Sequence, residues 1–164
     1  MASWGEIERQ APELARDARE LLEAHVHKTI ATLRADGSPR ISGIEAKFIN
    51  EAGIEDDLWF GSMPGSRKGA DLARDPRFSL HSGSDDPPDW RGDAKLSGIA
   101  EAVTDQARKV AIFKAMGAAE VDPASELYRI DVRELVVTRL TEAKDEMAVA
   151  WWTEAGGERR LTRK

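Results

Sequence analysis

The apolar positions near the start of the chain predict a helix. Ser3 with Glu6 three residues later forms a capping-box pattern, which marks a helix start. An apolar stripe at helical spacing follows, made of Ile7, Leu14, Ala18, Leu21 and Leu22. We therefore expect a helix over roughly residues 4 to 24 that packs one face on the rest of the protein. Pro12 kinks this helix or marks a later start.

From Lys28 onwards the pattern changes to β-branched and alternating segments, which are typical of strands. Turn signals at 36–39 and 50–53 separate the first three strands and predict a meander. Gly98 is a candidate bulge in the fifth strand. The predicted strands cover residues 29–33, 40–48, 58–61, 77–81, 94–103, 127–140 and 147–152.

Two shorter helices are predicted between these strands. Ser66 caps the first, which Asp75-Pro76 stops. Thr104 is the predicted cap of the second, which has about twelve residues and ends near Gly117.

Short turns between successive strands favour antiparallel pairing, and closure into a barrel removes exposed edges. The expected fold class is mainly β (α+β), an antiparallel barrel of about six strands with peripheral helices. We expect one domain over residues 1–164, divided into an N-terminal helix (1–26), a barrel (27–153) and a basic C-terminal tail (154–164), in which Gly156-Gly157 precede the basic residues Arg159 to Lys164.

Composition narrows the function classes. The 164 residues include 24 Lys and Arg against 30 Asp and Glu, a net charge of −6, which disfavours a general nucleic-acid or anionic-membrane binder. The absence of cysteine excludes disulfides and thiolate chemistry. No apolar run approaches the roughly 20 residues of a membrane span, and the acidic start does not resemble a secretory signal. We expect a cytoplasmic protein.

The segment from Leu58 to Leu80 contains the most informative motif. A strand ends in Gly61-Ser62, and Ser66-Arg67-Lys68 opens a helix. Free backbone N–H groups at a helix start bind anions, whereas two cations in the first turn have the wrong sign for the helix dipole. A bound phosphate explains this placement. The alternative is a solvated charged face on a short helix.

In three segments that follow in order, the chain resembles the pyridoxamine-5′-phosphate-oxidase-like split barrels that bind FMN. The segments are the DGSPRIS hairpin (36–42), the Ser-Arg-Lys helix start (66–68) with the Leu-Ala-Arg-Asp-Pro-Arg stretch (72–77), and a long strand after a loop that contains Trp90. The resemblance implies a split β-barrel, a homodimer with the cofactor at its interface, and a flavin phosphate held by the helix start and Arg40. The implied cofactor-binding residues are Arg40, Ile41, Ser42, Gly43, Phe60, Gly61, Ser62, Ser66, Arg67, Lys68 and Trp90, and the flavin ring would follow the backbone of 41–44 and 60–62.

Some positions depart from the family pattern. Thr162 stands where true pyridoxamine-phosphate oxidases have a substrate-binding histidine, and Glu45 stands where a basic residue is common. Trp90 and the Trp151-Trp152 pair are candidates to close the partner's pocket. Adjacent residues of a strand face opposite sides, so one of these two tryptophans is expected in the core.

The three histidines are candidates for a metal site or for a role in the pocket. His25 and His27 would share one side of a strand, but no third ligand is evident, so we predict no metal site. His81 could face the pocket. The acidic residues of the 82–89 loop are interpreted as solvated.

The favoured function is an FMN-dependent oxidoreductase acting on a small molecule, other than a true pyridoxamine-phosphate oxidase, with no catalytic side chain assigned. One alternative is a reductase that uses the deazaflavin coenzyme F-420. Another is a non-catalytic flavin- or haem-binding stress protein.

Overall fold

A computed structural model describes residues 2–51 and 53–164. Within them, eight strands form one antiparallel sheet, and four helices surround it. The strands are β1 (His27–Leu33), β2 (Pro39–Ile49), β3 (Asp57–Ser62), β4 (Arg77–His81), β5 (Asp93–Ala102), β6 (Glu126–Leu140), β7 (Met147–Thr153) and β8 (Gly157–Arg163). The helices are α1 (Trp4–Gln10), α2 (Pro12–Glu23), α3 (Arg67–Arg74) and α4 (Gln106–Ala115).

Six of these strands close into a barrel in the order β3-β2-β1-β4-β5-β6, because β3 also pairs with β6. The 15-residue strand β6 makes this possible. Its first part pairs with β3 and its last part with β7, while β5 pairs along most of its other edge. The predicted mainly β class and the antiparallel barrel are confirmed.

The N-terminal segment forms two helices rather than one. Ser3 and Glu6 make the predicted capping box. The break falls at Ala11, and Pro12 is the first residue of α2, where its missing N–H costs nothing. Pro12 therefore marks a new start, which is one of the two outcomes that the sequence left open.

The core fills the barrel interior and extends under α1 and α2. Trp152 is fully buried there, and its indole Nε1 donates to Gln10 Oε1 at 3.0 Å. Trp151 on the opposite side of β7 is half-buried, so the expectation that one of the pair is a core residue is confirmed. A second, smaller cluster lies under α4 and consists of Ile49, Trp59, Ile112 and Leu127.

Gly98 lies at the predicted bulge, where the β5–β6 register shifts between Ser97 and Gly98. A Cβ at Gly98 would fall 1.9 Å from the Asp131 carbonyl oxygen, so only glycine fits.

Two details of the prediction were wrong. Thr104 does not cap α4; Asp105 does, since its side chain accepts a hydrogen bond from the Arg108 N–H at 2.6 Å. The basic segment after Gly156 is not a tail outside the sheet, because it contains β8, which pairs with β7 along its whole length.

Candidate functional site

The start of α3 has the features of an anion site. The Ser66 hydroxyl caps the helix by accepting from the Gly69 N–H at 3.0 Å, and it lies 2.5 Å from the Ser62 hydroxyl at the end of β3. Within the described part of the chain, the side chains of Arg67 and Lys68 make no ion pair, and Arg67 is exposed. Two unpaired cations in a first turn oppose the helix dipole, and a bound anion would relieve that repulsion.

A cleft of about 640 Å³ opens beside this helix start, and we call it the β2–α4 cleft. Its size suits a cofactor. Its floor is the outward face of β2 and the end of β3, and the far end of α4 forms one wall. The lining residues are His27, Gly43, Ile44, Glu45, Lys47, Gly61, Ser62, Met63, Lys68, Phe113, Met116, Gly117, Ala118 and Ser125.

Two glycines shape the floor of the cleft in different ways. A Cβ at Gly61 would lie 2.5 Å from the Phe113 ring, so the absence of a side chain lets α4 pack directly on β3. A Cβ at Gly43 would meet nothing within 4 Å, so the strand surface there is open to a ligand. A flat ring can therefore approach the backbone of β2 closely.

Charged side chains line the rim of the cleft. The Lys47 ammonium donates to the Met116 carbonyl oxygen at 2.8 Å, which ties the end of α4 to β2. Glu45 lies 3.6 Å from the His27 Nε2 across β1 and β2. Lys68 adds a positive charge on the α3 side.

Arg40 is held in place by Asp71 of α3. Its Nε donates to Asp71 Oδ2 at 2.6 Å, and the same oxygen accepts from the Thr32 hydroxyl at 2.9 Å. Arg74 donates to the other carboxylate oxygen at 3.1 Å. These donors, Arg40 foremost, lower the pKa of the buried Asp71 carboxyl from 3.8 to about 2. Arg40 thus lies beside α3, and one of its nitrogens is occupied by Asp71.

The structure brings together only some of the predicted cofactor residues. Gly43, Gly61, Ser62 and Lys68 line the cleft, and Ser66 and Arg67 adjoin it at the helix start. This group includes every residue of the predicted motif, in which β3 ends in Gly61-Ser62 and α3 begins at Ser66-Arg67-Lys68.

The other predicted residues lie elsewhere. Ser42 is paired with Ile30 of β1 and does not line the cleft. Phe60 turns inward and stacks on Tyr128 with ring centroids 5.0 Å apart, so only its backbone could meet a ligand. Ile41 is 74% exposed and lies in a separate, smaller groove with residues of β4 and β5. Trp90 is half-buried in the loop before β5, away from the cleft.

Sequence reasoning missed the α4 wall and part of the floor. Lys47 shares the outward face of β2 with Gly43, so the alternation of the strand could have indicated it. Phe113 and Met116 come from a helix about fifty residues further along the chain, and no local pattern predicts their contact with β3.

The histidines do not gather into a metal site. His25 lies 3.5 Å from Asp85, and His81 lies 3.7 Å from Asp93. Among the described residues no three potential ligands come together. The interpretation of the 82–89 loop as wholly solvated needs one correction, since Asp85 contacts His25.

The residues of the cleft suit FMN by their chemistry. Two neighbouring cations without ion-pair partners, two hydroxyls and free helix N–H groups fit a phosphate. The open backbone at Gly43 and the apolar surface of Phe113 and Met116 fit a flat ring system.

Comparison with known proteins identifies the family and the fold. The family model for pyridoxamine 5′-phosphate oxidase matches residues 14–139. The chain belongs to this family. No curated protein matches the sequence. Among the residues that the structure describes, no helix has the length and apolar character needed to cross a membrane.

Several solved structures share the fold. A pyridoxamine 5′-phosphate oxidase-related, FMN-binding protein from Nostoc punctiforme superposes with a TM-score of 0.63 at 14% identity, covering 100% of this chain and 98% of that one. General Stress Protein 26 from Bacillus anthracis gives 0.56 at 16% identity, with 74% and 91% coverage. An F420 reductase gives 0.51 at 17% identity, with 71% and 94% coverage. At these identities the likeness concerns the fold alone.

Proposed function

We propose that this member of the pyridoxamine 5′-phosphate oxidase family binds FMN in the β2–α4 cleft and acts as an oxidoreductase on a small molecule. The observation that carries the proposal is the pair of unpaired cations, Arg67 and Lys68, at a helix start that opens onto a glycine-floored cleft. FMN supplies the hydride chemistry when bound, and the protein supplies position and electrostatics.

The phosphate contacts follow from the start of α3. The free N–H groups of the first turn and the Ser66 hydroxyl face the anion, Arg67 offers a bidentate fork, and Lys68 adds a point charge. Arg40, fixed through its Nε by Asp71, keeps its terminal nitrogens for the same anion. The ring lies along the open backbone of Gly43, with the end of β3 beside it.

The side chains of the cleft argue against pyridoxamine phosphate as substrate. Glu45 places a carboxylate on the cleft wall, where it would repel the phosphate group of such a substrate. Thr162 is an exposed residue of β8 paired with Ala148, and its hydroxyl lacks the charge and basicity of a histidine. The substrate is therefore a small molecule without a phosphate group at this wall.

A second copy of the chain completes the site in this proposal. The outward face of the barrel exposes Ile41, and a groove of about 370 Å³ beside it is lined by apolar Ala31 and Val136. Half-buried Trp151 pairs with Val136 and continues this face. We expect a homodimer by light scattering and a monomer for Ile41→Glu; a dimer that survives this change at low concentration would locate the interface elsewhere.

A titration of purified protein with FMN, followed by the visible spectrum and flavin fluorescence, tests the cofactor. Loss of charge-assisted contacts worth about 1.5–3 kcal/mol each predicts an Arg67→Ala, Lys68→Ala variant that binds FMN at least 100-fold more weakly. Arg16→Ala, Lys164→Ala removes two exposed cations away from the cleft and serves as the matched control. Equal affinity of the Arg67, Lys68 variant and wild type would refute the proposed phosphate site.

The second candidate cofactor is the deazaflavin coenzyme F-420, which the likeness to an F420 reductase favours. In that case the protein leaves added FMN unchanged and quenches the fluorescence of added deazaflavin. A protein that binds FMN but turns over no electron acceptor would instead be a non-catalytic carrier, the alternative to which the stress-protein neighbour points.

A further inference from the structure

Met63 places an exposed thioether at the edge of the β2–α4 cleft. It directly follows Ser62, the last residue of β3, and it lines the cleft. Met63 is 76% exposed, the highest value among the large apolar side chains that the structure describes. A ligand in the cleft would cover part of this side chain, which is favourable as long as the side chain stays apolar.

A tight turn fixes the backbone of Met63. The Ser66 N–H donates to the Met63 carbonyl oxygen at 3.2 Å, and Pro64 and Gly65 occupy the two positions between them. Gly65 has a φ of +69°, so the segment has the pattern of a type II turn. Because Ser66 also caps α3, Met63 cannot withdraw from the cleft without disturbing the helix start.

The two other methionines that the structure describes are less accessible. Met116 is half-buried and packs on the small cluster under α4. Met147 is half-buried in β7, between strands β6 and β8. Oxidation of methionine follows exposure to solvent, so Met63 is expected to react first.

A peroxide changes the chemistry of this side chain. The sulfur lone pair of Met63 attacks one oxygen of hydrogen peroxide, the O–O bond breaks, and the other oxygen leaves as water with both hydrogens. The thioether is oxidised to a sulfoxide, and the peroxide is reduced. A flexible apolar side chain thereby becomes a polar one with an acceptor oxygen.

The new oxygen would stand between the proposed ring site and the proposed phosphate site. It carries a partial negative charge, and it competes with a phosphate for the donors of Ser62 and Lys68, which line the same cleft. A ring that covers the sulfoxide would also bury a strong dipole, which costs free energy unless a donor compensates it. Both effects weaken the binding of an anionic flavin.

We propose that Met63 is an oxidation-sensitive residue through which a peroxide prevents the cofactor-free protein from binding FMN. The inference rests on the proposed function, because it takes FMN as the ligand of the cleft. Bound FMN covers the thioether and shields it, so oxidation acts on the protein before the cofactor is loaded.

Peptide mass spectrometry of the full-length, FMN-free protein during exposure to hydrogen peroxide tests the order of oxidation. The sulfoxide should form faster at Met63 than at Met116 and Met147. Saturating FMN should slow the reaction at Met63 and leave that at Met147 unchanged. This protection measures contact with the cofactor without any assay of activity.

FMN titrations before and after peroxide treatment test the consequence, with each protein compared with itself. A buried, uncompensated dipole predicts that treated wild type binds FMN about tenfold more weakly. Met147→Leu, the matched control, should lose as much affinity as wild type, whereas Met63→Leu should keep its own affinity. Methionine sulfoxide reductases should restore binding to treated wild type.

The outcomes separate this inference from the proposed function. Oxidation at Met63 no faster than at Met147, FMN affinity that survives oxidation of Met63, or an equal loss of affinity in Met63→Leu would overturn the inference alone. Untreated protein that does not bind FMN would overturn the proposed function and this inference with it.

Discussion

Replacing Asp71 by asparagine tests whether the buried carboxylate holds the phosphate arm of the site together. Asp71 on α3 is 3% exposed and accepts hydrogen bonds from Arg40, Thr32 and Arg74. Asparagine keeps the size of the side chain but loses the charge. It therefore removes the electrostatic part of these contacts without opening a cavity.

The magnitude follows from the pKa of the carboxyl group. A fall from 3.8 to about 2 corresponds to a contribution of about 2 kcal/mol to the free energy of unfolding, at about 1.4 kcal/mol per unit. Because the folded-state pKa is depressed, this contribution is complete above pH 4 and is lost as the pH falls from about 4 towards about 2. For a domain of this size, Asp71→Asn should lower the melting temperature at pH 7 by about 4–8 °C.

Urea unfolding of the cofactor-free protein at pH 7 and at pH 3 measures this effect. Other carboxylates titrate equally in wild type and variant, so the difference between the two proteins isolates Asp71. Asp75→Asn is the matched control, because the pKa of Asp75 is also about 2 but its partner Arg77 is exposed and screened. We expect a smaller loss for the control.

The same variant probes the function of Arg40. A neutral asparagine oxygen accepts more weakly from the Arg40 Nε–H than the carboxylate does. Arg40 should therefore be held less firmly beside α3, and FMN affinity should fall although no cation has been removed. If Asp71→Asn is as stable as wild type at pH 7, or if the stability difference does not shrink at pH 3, the assigned role of Asp71 is wrong.

Two further substitutions test the packing that supports the site. Gly98→Ala places a Cβ 1.9 Å from the Asp131 carbonyl oxygen, so it should break the β5–β6 bulge and lower the free energy of unfolding by several kcal/mol. The readout is a large fall in melting temperature or a loss of folded protein. A stable variant would mean that the bulge can relax. Trp152→Phe removes the hydrogen bond to Gln10 and part of a buried ring, so it should lower the free energy of unfolding in urea by about 1–3 kcal/mol. Trp151→Phe should lower it less, because Trp151 is half-buried. Equal losses would contradict the assignment of Trp152 to the core.

The strands could be predicted closely because each barrel strand buries one face. In β4, Phe78 and Leu80 point inward and their neighbours outward, and this alternation is visible in the sequence. The register of β1 with β2 follows from the tight hairpin at 36–39. The cap of α4 could not be fixed in this way, because Thr104 and Asp105 are adjacent residues that both cap helices well.

Strand β8 could not be predicted because its cause is not local. Its residues are mostly charged and exposed, with no alternation of apolar positions. It forms because β7 continues past the barrel and offers a row of unpaired backbone groups that Gly157–Arg163 satisfies. A local pattern predicts a strand only where one of its faces is buried.

The candidate site likewise has a part that the sequence predicts and a part that it does not. Helix α3 contains residues of both parts. The helix start is a local feature, so Ser66, Arg67 and Lys68 were identifiable from the sequence. The rest of the helix acts through contacts distant in sequence.

Three of the next positions of α3 have distant contacts. Gly69 admits the Glu126 carboxylate against the backbone, Asp71 fixes Arg40, and Leu72 is 3% exposed in the barrel core. A single helical turn thus connects the phosphate site and the core. A substitution at Gly69 should therefore disturb both together, whereas a substitution at exposed Arg67 should affect the phosphate site alone.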